Sequence, residues 1–177
     1  IPQFQRTKDQ LGEDPYLLSS LGDDLVSGMQ ENAGIAVLKH YAAFAQNASP
    51  ASKTNVEVSE QALHEVYLPG FESAVKEGGA LGVMSSYNAL HGTLASANTE
   101  LQEDILRDMW GYEYFTITDW GGNDGYTLDK GTDIEMPRLS NNSQANTQKK
   151  VESGEMTQEE ADQLVDQSVR RILKAYG

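Results

Sequence analysis

Cysteine is absent from the sequence, as is any apolar run long enough to cross a membrane. Without cysteine the chain can form neither a disulfide framework nor a metal site built on thiolates. A membrane-spanning helix needs about 20 predominantly apolar residues, so we expect no transmembrane segment. The lack of disulfides does not assign a compartment, because large secreted domains can fold without them. We favour a secreted or periplasmic location over a cytoplasmic one.

Basic residues are also scarce, since 13 Lys and Arg stand against 27 Asp and Glu, for a formal net charge of -14 at pH 7. They are scattered and form no basic stripe, which argues against a nucleic-acid partner or an anionic membrane surface. The substrate should therefore be neutral or cationic rather than phosphorylated. No spacing of His, Asp and Glu indicates a metal site, and no phosphate-binding glycine loop occurs. We expect no cofactor.

Helical and strand patterns alternate along the 177 residues. The apolar spacing predicts helices that begin near Asp14, Ser59, Asn98 or Thr99, and Thr157, and strands at 35–38, 81–84, 115–118 and 134–136. Pro69 lies inside the second helical pattern and should kink or divide it. Residues 138–147 have the composition of a polar loop. The alternation is typical of an α/β protein with a parallel sheet and helical crossovers.

Polar side chains follow the best-defined strands, namely Lys39 and His40, Tyr87 and Asn88, and Asp119 and Trp120. Parallel strands place their carboxyl ends on one side of a sheet, where α/β enzymes carry out their chemistry. We therefore expect these side chains to converge on one pocket. Asp119 is the central candidate because it ends a buried, β-branched run, although an acid at this point could also simply cap a loop.

Short motifs then indicate a family. They are Gly12–Leu17 (GEDPYL), Lys39–Tyr41 (KHY), Val83–Asn88 (VMSSYN), Thr118–Trp120 (TDW) and Asp133–Pro137 (DIEMP). Their order and spacing resemble those of glycoside hydrolase family 3, the β-glucosidases and their relatives. The resemblance covers nearly the whole chain, and it implies an α/β fold of the (β/α)8 TIM-barrel type. It also implies a retaining mechanism, in which one carboxylate attacks the anomeric carbon and a second group protonates the leaving oxygen.

The resemblance implies roles for particular residues. Asp119 matches the family's catalytic nucleophile, and Tyr87 matches a tyrosine that lies beside it. Lys39 and His40 match a pair that hydrogen-bonds sugar hydroxyls. The remaining two matches are Trp120, which corresponds to an aromatic wall of the sugar site, and Arg6, which stands at the spacing of a sugar-binding arginine. The flanks of Arg6 depart from the family pattern.

Other acidic residues have structural interpretations. Glu13 and Asp14 look like a catalytic carboxylate pair, but their position before Pro15 favours helix capping. Asp133 and Glu135 are expected to hold the end of the barrel together rather than to touch sugar.

The sequence departs from the family in size. A (β/α)8 barrel has eight strands and about 250 residues, whereas residues 1–177 supply about half of these strands. We therefore expect residues 1–177 to be part of the family's N-terminal barrel domain, with an incomplete barrel. In two-domain members the acid/base Glu comes from a second domain, which is absent from this sequence. The loop 42–46 also lacks the His of single-domain members that cleave N-acetylglucosaminides.

The sequence thus predicts a retaining β-glucosidase that removes terminal β-D-glucosyl residues from a β-glucoside or oligosaccharide. Trp120 favours a glucosidase over a β-xylosidase, because β-xylosidases of this family tend to have Cys at that position. Two alternatives remain open. One is a family 3 enzyme of different specificity, such as a β-xylosidase or an exo-glucanase. The other is a non-catalytic sugar-binding or structural fragment. A partial barrel should pair with the rest of the enzyme or with itself.

Overall fold

The computed structural model describes residues 10–44, 54–123, 125–137 and 142–177. Its strands are β1 (Val37–Tyr41), β2 (Asn55–Val56), β3 (Gly82–Ser85), β4 (Ala89–Leu90), β5 (Thr93–Leu94) and β6 (Phe115–Thr118). β1, β3 and β6 form a parallel sheet in the order β1-β3-β6. The strand predicted at 134–136 is not formed, because only Ile134 pairs, through a single parallel bridge to Ile117 of β6. The predicted parallel sheet is therefore present, with β1 shifted along the chain so that it includes His40.

The helices occupy the segments between these strands. They are α1 (Pro15–Gln30), α2 (Glu60–Ala62), α3 (Pro69–Lys76), α4 (Ser143–Ser153) and α5 (Gln158–Lys174), with π-helical segments at Leu63–Tyr67 and Glu100–Met109 and short 3-10 turns at Ala95–Ala97 and Leu128–Lys130. Pro69 divides the second helical region as expected, because α3 begins at the proline. α1 begins as expected too, since Oδ1 of Asp14 accepts a hydrogen bond from the backbone N–H of Leu17.

Elsewhere one further local prediction was wrong and one element was missed. Residues 138–147 were expected to be loop, but α4 starts at Ser143 and Asn142 caps it by accepting a hydrogen bond from Ala145 N at 3.0 Å. α4 has no apolar stripe, so its sequence gives little periodic signal. The second omission is a small sheet in which β2 pairs with β4 and β4 pairs with β5. Its strands are too short for a period of two to be recognised.

The sheet is packed tightly at the amino ends of its strands. Val37, Gly82 and Phe115 lie side by side in register across β1, β3 and β6. A Cβ atom on Gly82 would stand 2.9 Å from the ring of Phe115 and 2.9 Å from Cγ2 of Val37. Glycine therefore allows the two larger side chains to fill this layer of the sheet.

The buried core joins the sheet to the helices. Its largest fully buried apolar members are Tyr41, Leu63, Leu68, Leu90, Leu101 and Leu106. The hydroxyl of Tyr41 donates a 2.9 Å hydrogen bond to the carbonyl oxygen of Leu101, which satisfies its polar atom in this apolar setting. α1 packs on α3. This core fixes the helices behind the sheet and leaves the carboxyl ends of the strands for the site.

Two helices keep apolar stripes that face away from the described core. On α1 the exposed residues are Leu17, Leu21, Leu25 and Met29, and on α5 they are Val165, Val169 and Leu173. α1 precedes β1 at one edge of the sheet, and α5 contacts β6 near the other edge. Contiguous apolar exposure of this kind is unusual on a complete domain. Both edges of the sheet thus have surfaces that are suited to a further layer of protein.

Candidate active site

Asp119 lies at the carboxyl end of β6, in the position that its sequence predicts. Its backbone N–H donates to the carbonyl oxygen of Ser85 at 3.3 Å, which extends the pairing with β3 by one residue. Its side chain is 13% exposed, and Oδ1 accepts a 2.7 Å hydrogen bond from the backbone N–H of Trp120. The carboxylate is thus held near the surface with one oxygen fixed by the local backbone.

His40 approaches the other carboxylate oxygen. Nε2 of His40 lies 3.1 Å from Oδ2 of Asp119, and the His40 side chain is 12% exposed. His40 comes from β1, which is separated from β6 by β3. The imidazole therefore reaches across the end of β3 to meet the carboxylate.

The surroundings of Asp119 favour its ionised form. Burial opposes ionisation and by itself would raise the pKa of the carboxyl group. The close contact with His40 and the N–H of Trp120 act in the opposite direction, and the Tyr87 side chain adds to them. The sum holds the pKa of Asp119 below its ordinary value of 3.8. At neutral pH the site therefore presents a carboxylate, which is the form that a nucleophile requires.

Tyr87 and Phe44 complete a cluster of rings beside the carboxylate. Tyr87 follows β3 and is 6% exposed. The Phe44 ring packs beside both of the polar side chains that act on Asp119, with its centroid 5.3 Å from that of His40 and 6.2 Å from that of Tyr87. The carboxyl end of β1 and the segments that follow β1 and β3 thus contribute three rings in pairwise contact.

The turn after Asp119 is fixed from both sides. The N–H of Gly121 donates to Met136 O, and the N–H of Gly122 donates to Asp119 O at 2.8 Å. From the other side, the buried hydroxyl of Ser96 donates to Gly122 O at 2.7 Å. Gly121 has a φ of 78°, a conformation that glycine adopts without strain. These contacts set the direction in which Trp120 leaves the strand.

For the remaining predicted site residues the structure shows no comparable side-chain contact with Asp119 among the described residues. Trp120 is 64% exposed, so its indole is free to present a face to a ligand. Lys39 precedes His40 on β1 and is also exposed. Arg6 lies outside the described residues. The described structure therefore brings His40, Tyr87 and Asp119 together and leaves the cationic and indole groups at the open side.

Asp133 and Glu135 hold structural elements together, as their sequence positions predict. The fully buried carboxylate of Asp133 binds Nη2 of Arg107 at 3.0 Å and Nη1 of Arg171 at 3.2 Å, and it accepts the N–H of Thr116 at 2.8 Å. Glu135 binds two hydroxyl groups, those of Thr127 and Ser143, at 2.9 and 2.7 Å. The first carboxylate ties α5 and the π-helix Glu100–Met109 to β6, and the second ties α4 to the segment after Ile134.

Two residues of this site were not predicted from the sequence. Phe44 stands in a loop of small residues with no periodic pattern, and Ser96 belongs to a three-residue 3-10 turn. Neither belongs to the motifs that indicated the family. The proximity of Phe44 to a motif residue, His40, is the one signal in the sequence that could have suggested a role.

Neither a metal site nor a membrane span is found in the described part of the chain. Its His, Asp and Glu residues form no cluster of three or more that could hold a metal ion. None of its helices combines the length and apolar character needed to cross a membrane.

Comparison with protein families gives a match over nearly the whole chain. The model described as "Glycosyl hydrolase family 3 N terminal domain" matches residues 1–175. Among solved structures, β-glucosidase 3B from Thermotoga neapolitana in complex with glucose superposes with a TM-score of 0.87 at 31% identity, covering 98% of this chain and 25% of that one. The predicted TIM-barrel-type fold is confirmed by this match together with the parallel sheet.

Curated relatives carry more than one name. β-Glucosidase B of Emericella nidulans is 39% identical over 138 residues, which cover 77% of this chain and 16% of the relative. Thermostable β-glucosidase B of Acetivibrio thermocellus is 35% identical over 175 residues, which cover 98% of this chain and 22% of the relative. A β-xylosidase of Formosa agariphila is 38% identical over 125 residues, which cover 66% of this chain and 17% of the relative. The chain thus spans about a fifth of the length of these relatives.

Proposed function

The chain belongs to glycosyl hydrolase family 3, and from this membership and the site geometry we propose that it supplies the nucleophile half of a retaining β-glucosidase. The observation that carries the proposal is the position of Asp119. Its carboxylate stands at the carboxyl end of β6, its pKa is held below the ordinary value, and it contacts His40 at 3.1 Å. Enzymes of the TIM-barrel type place their catalytic groups at this end of the strands.

In the proposed reaction an oxygen of Asp119 attacks the anomeric carbon of a β-glucoside. A bond forms between that oxygen and the anomeric carbon, and the bond from this carbon to the aglycone oxygen breaks. The departing oxygen takes a proton from a general acid and leaves as an alcohol. Water, deprotonated by the same group, then attacks the anomeric carbon and releases glucose and the Asp119 carboxylate. The depressed pKa of Asp119 suits the first step because only the ionised form attacks.

The residues around Asp119 support sugar binding. We propose that Lys39 and His40 hydrogen-bond the hydroxyl groups of the glucosyl unit. Both side chains can donate hydrogen bonds, both lie on β1, and His40 contacts the Asp119 carboxylate. Trp120 offers an exposed indole, and an aromatic face can pack on the apolar face of a sugar ring. Arg6 is proposed as a further sugar ligand on the family pattern alone.

We assign the general acid to no residue of this chain and propose that the rest of the enzyme provides it. The same polypeptide would cover the exposed stripes of α1 and α5 and complete the barrel around the sheet. Two observations favour this partner over a second copy of the chain. The chain spans 25% of its structural relative from Thermotoga neapolitana, and two copies that each have a formal charge of -14 would repel one another.

A second candidate function differs only in the sugar. The match to a β-xylosidase at 38% identity favours testing xylosides beside glucosides. A glucoside has a hydroxymethyl group that a xyloside lacks, and a pocket that binds a hydroxyl group usually rejects the analogue without it. The ratio of the rates on the two sugars therefore separates the two functions.

The experiment is covalent labelling of the intact enzyme with 2-deoxy-2-fluoro-β-glucosyl fluoride, followed by peptide mapping. We expect the added mass on the peptide that contains Asp119, and a slower reaction with the xylosyl analogue. The variant Asp119→Asn should lose hydrolysis almost completely, since loss of a catalytic group costs about 1000-fold or more. Asp129→Asn, which changes a partly exposed carboxylate outside the proposed site, is the matched control. Label on another residue, or activity of Asp119→Asn above about a thousandth of wild type, would sink the assignment.

A further inference from the structure

The carboxyl ends of β1 and β3 are joined by hydrogen bonds just before the site. The N–H of Ser86 donates to Tyr41 O at 2.7 Å, and the Ser86 hydroxyl donates to Ala42 O at 3.1 Å. The side-chain amide of Asn88 donates to the same Ala42 oxygen at 3.3 Å. Ala42, Ser86 and Asn88 are all buried. The backbone that leads to Phe44 is therefore fixed against the backbone on either side of Tyr87.

Phe44 lies two residues after Ala42, and its ring packs beside both of the side chains that act on Asp119. Its centroid lies 5.3 Å from the His40 ring with a tilt of 59°, and 6.2 Å from the Tyr87 ring with a tilt of 56°. Both distances lie in the range of favourable aromatic contacts. One ring thus contacts both neighbours of Asp119, one on β1 and the other after β3.

We propose that Phe44 is a positioning residue that holds the His40 and Tyr87 side chains in the orientations from which they act on Asp119. The Phe44 side chain is a hydrocarbon and takes no part in bond making. Phe44 acts through His40 and Tyr87. The effect of Phe44 on hydrolysis rests on the proposed role of Asp119, whereas its effect on the positions of these two side chains does not.

The physical reason is the shape of the space that the Phe44 ring fills. His40 depends on its side-chain torsions to keep Nε2 at 3.1 Å from Oδ2 of Asp119. Removing a neighbouring ring opens room for other staggered torsion angles, which lie far from the observed contact. The titratable side chains that act on Asp119 within the described residues are His40 and Tyr87. Phe44 contacts both, so its loss should release both at once.

The test compares Phe44→Ala with Phe71→Ala. Phe71 is the matched control because it is also a partly buried ring with a ring contact, its centroid lying 5.3 Å from that of Tyr41, but it packs against the core cluster rather than beside the neighbours of Asp119. Phe44→Leu keeps most of the volume and serves as the conservative variant, which also covers the case in which Phe44→Ala fails to fold. Folding is checked by circular dichroism on each variant.

The first readout is a pH titration of the Asp119 carboxyl group, followed through the 13C chemical shift of its carboxyl carbon. We expect the pKa of Asp119 to rise in Phe44→Ala, to rise less in Phe44→Leu, and to stay at the wild-type position in Phe71→Ala. The second readout is the rate of labelling by the fluoroglucosyl fluoride. Misplacement of a catalytic group by about 1 Å can cost about 100-fold, so we expect Phe44→Ala to label about 10- to 100-fold more slowly.

The outcomes separate this inference from the proposed function. An Asp119 titration that is unchanged in folded Phe44→Ala overturns the positioning role, whether or not the wild type is labelled. A rise in Phe44→Ala that Phe71→Ala matches also overturns it, because the effect is then general to loss of a ring. A specific rise in a protein whose wild type takes no label supports the positioning role and rejects the glucosidase proposal.

Discussion

Nε2 of His40 lies 3.1 Å from Oδ2 of Asp119, although β3 separates the strands that carry these residues. The contact joins the ends of strands that share no hydrogen bonds with each other. Such a contact is possible only where side chains converge above the end of the middle strand. It makes His40 the neighbour through which the state of Asp119 can be tested most directly.

Replacing His40 by Phe should raise the pKa of Asp119. The variant keeps a ring at the position but removes the nitrogen at 3.1 Å, while the burial that opposes ionisation remains. The acidic limb of the activity profile should therefore move to higher pH, because the carboxylate is lost earlier as pH falls. A 13C titration of Asp119 measures the shift. His64→Phe, which changes an exposed histidine, should leave the titration where it is, and an equal shift in both variants would reject the explanation.

The same carboxyl group should make folding stability depend on pH. Its pKa is lower in the folded chain than the ordinary value of 3.8, so ionised Asp119 stabilises the fold above that value. This contribution is lost as the pH falls through the folded-state pKa. Urea unfolding at a series of pH values should therefore show a smaller acid-dependent loss for Asp119→Asn than for wild type. Identical pH dependence in the two proteins would mean that Asp119 is not the source.

Ser96→Ala should loosen the turn that carries Trp120. The substitution removes the 2.7 Å hydrogen bond to Gly122 O and leaves a carbonyl oxygen in a buried region without its donor. Loss of one partner in a buried pair costs about 1–3 kcal/mol of stability. We expect faster depolarisation of the fluorescence from exposed Trp120, measured in a Trp110→Phe background. Ser153→Ala, on the exposed end of α4, is the control, and unchanged depolarisation in Ser96→Ala would contradict the role of this contact.

Asp133→Ala should be among the most destabilising single changes in the described structure. It leaves the guanidinium groups of Arg107 and Arg171 without the buried carboxylate that they share. Breaking a buried ion pair by removing one partner typically costs about 3–5 kcal/mol. Urea unfolding measures the loss. Asp129→Ala removes a partly exposed carboxylate 3.6 Å from Lys130 and should cost less than about 1 kcal/mol; equal losses would show that the buried cluster contributes nothing special.

Gly82→Ala and Gly28→Ala should change stability in opposite directions. A Cβ atom at residue 82 would meet Phe115 and Val37 at 2.9 Å, and overpacking of this kind costs about 1–3 kcal/mol. At residue 28, inside α1, no heavy atom lies within 4 Å of the added Cβ, and alanine favours a helix over glycine by about 1 kcal/mol. The pair is compared by thermal unfolding. A stability of Gly82→Ala equal to or above that of wild type would contradict the packing described for the sheet, and a loss in Gly28→Ala would contradict the open position described in α1.

The order of elements could be predicted because it depends on local patterns. The runs at 81–84 and 115–118 are apolar and short, and each appears as a strand within one residue of its predicted bounds. The helix that starts after Thr157 was also predictable, since Thr157 and Glu160 form a complete capping box. α4 and the small sheet of β2, β4 and β5 were missed, because the first has no apolar face and the second has strands of two residues.

The sequence by itself determined which groups are present at the site. The short motifs around Asp119 and around Lys39 and His40 identify these side chains as candidates, and the same motifs indicate the family. Only the tertiary structure decided how these groups interact. Three contacts join residues far apart in the chain: that of His40 with Asp119 at 3.1 Å, that of the Phe44 ring with Tyr87, and the hydrogen bond from Ser96 to Gly122 O. Such contacts depend on how the strand ends pack, which no local pattern of residues encodes.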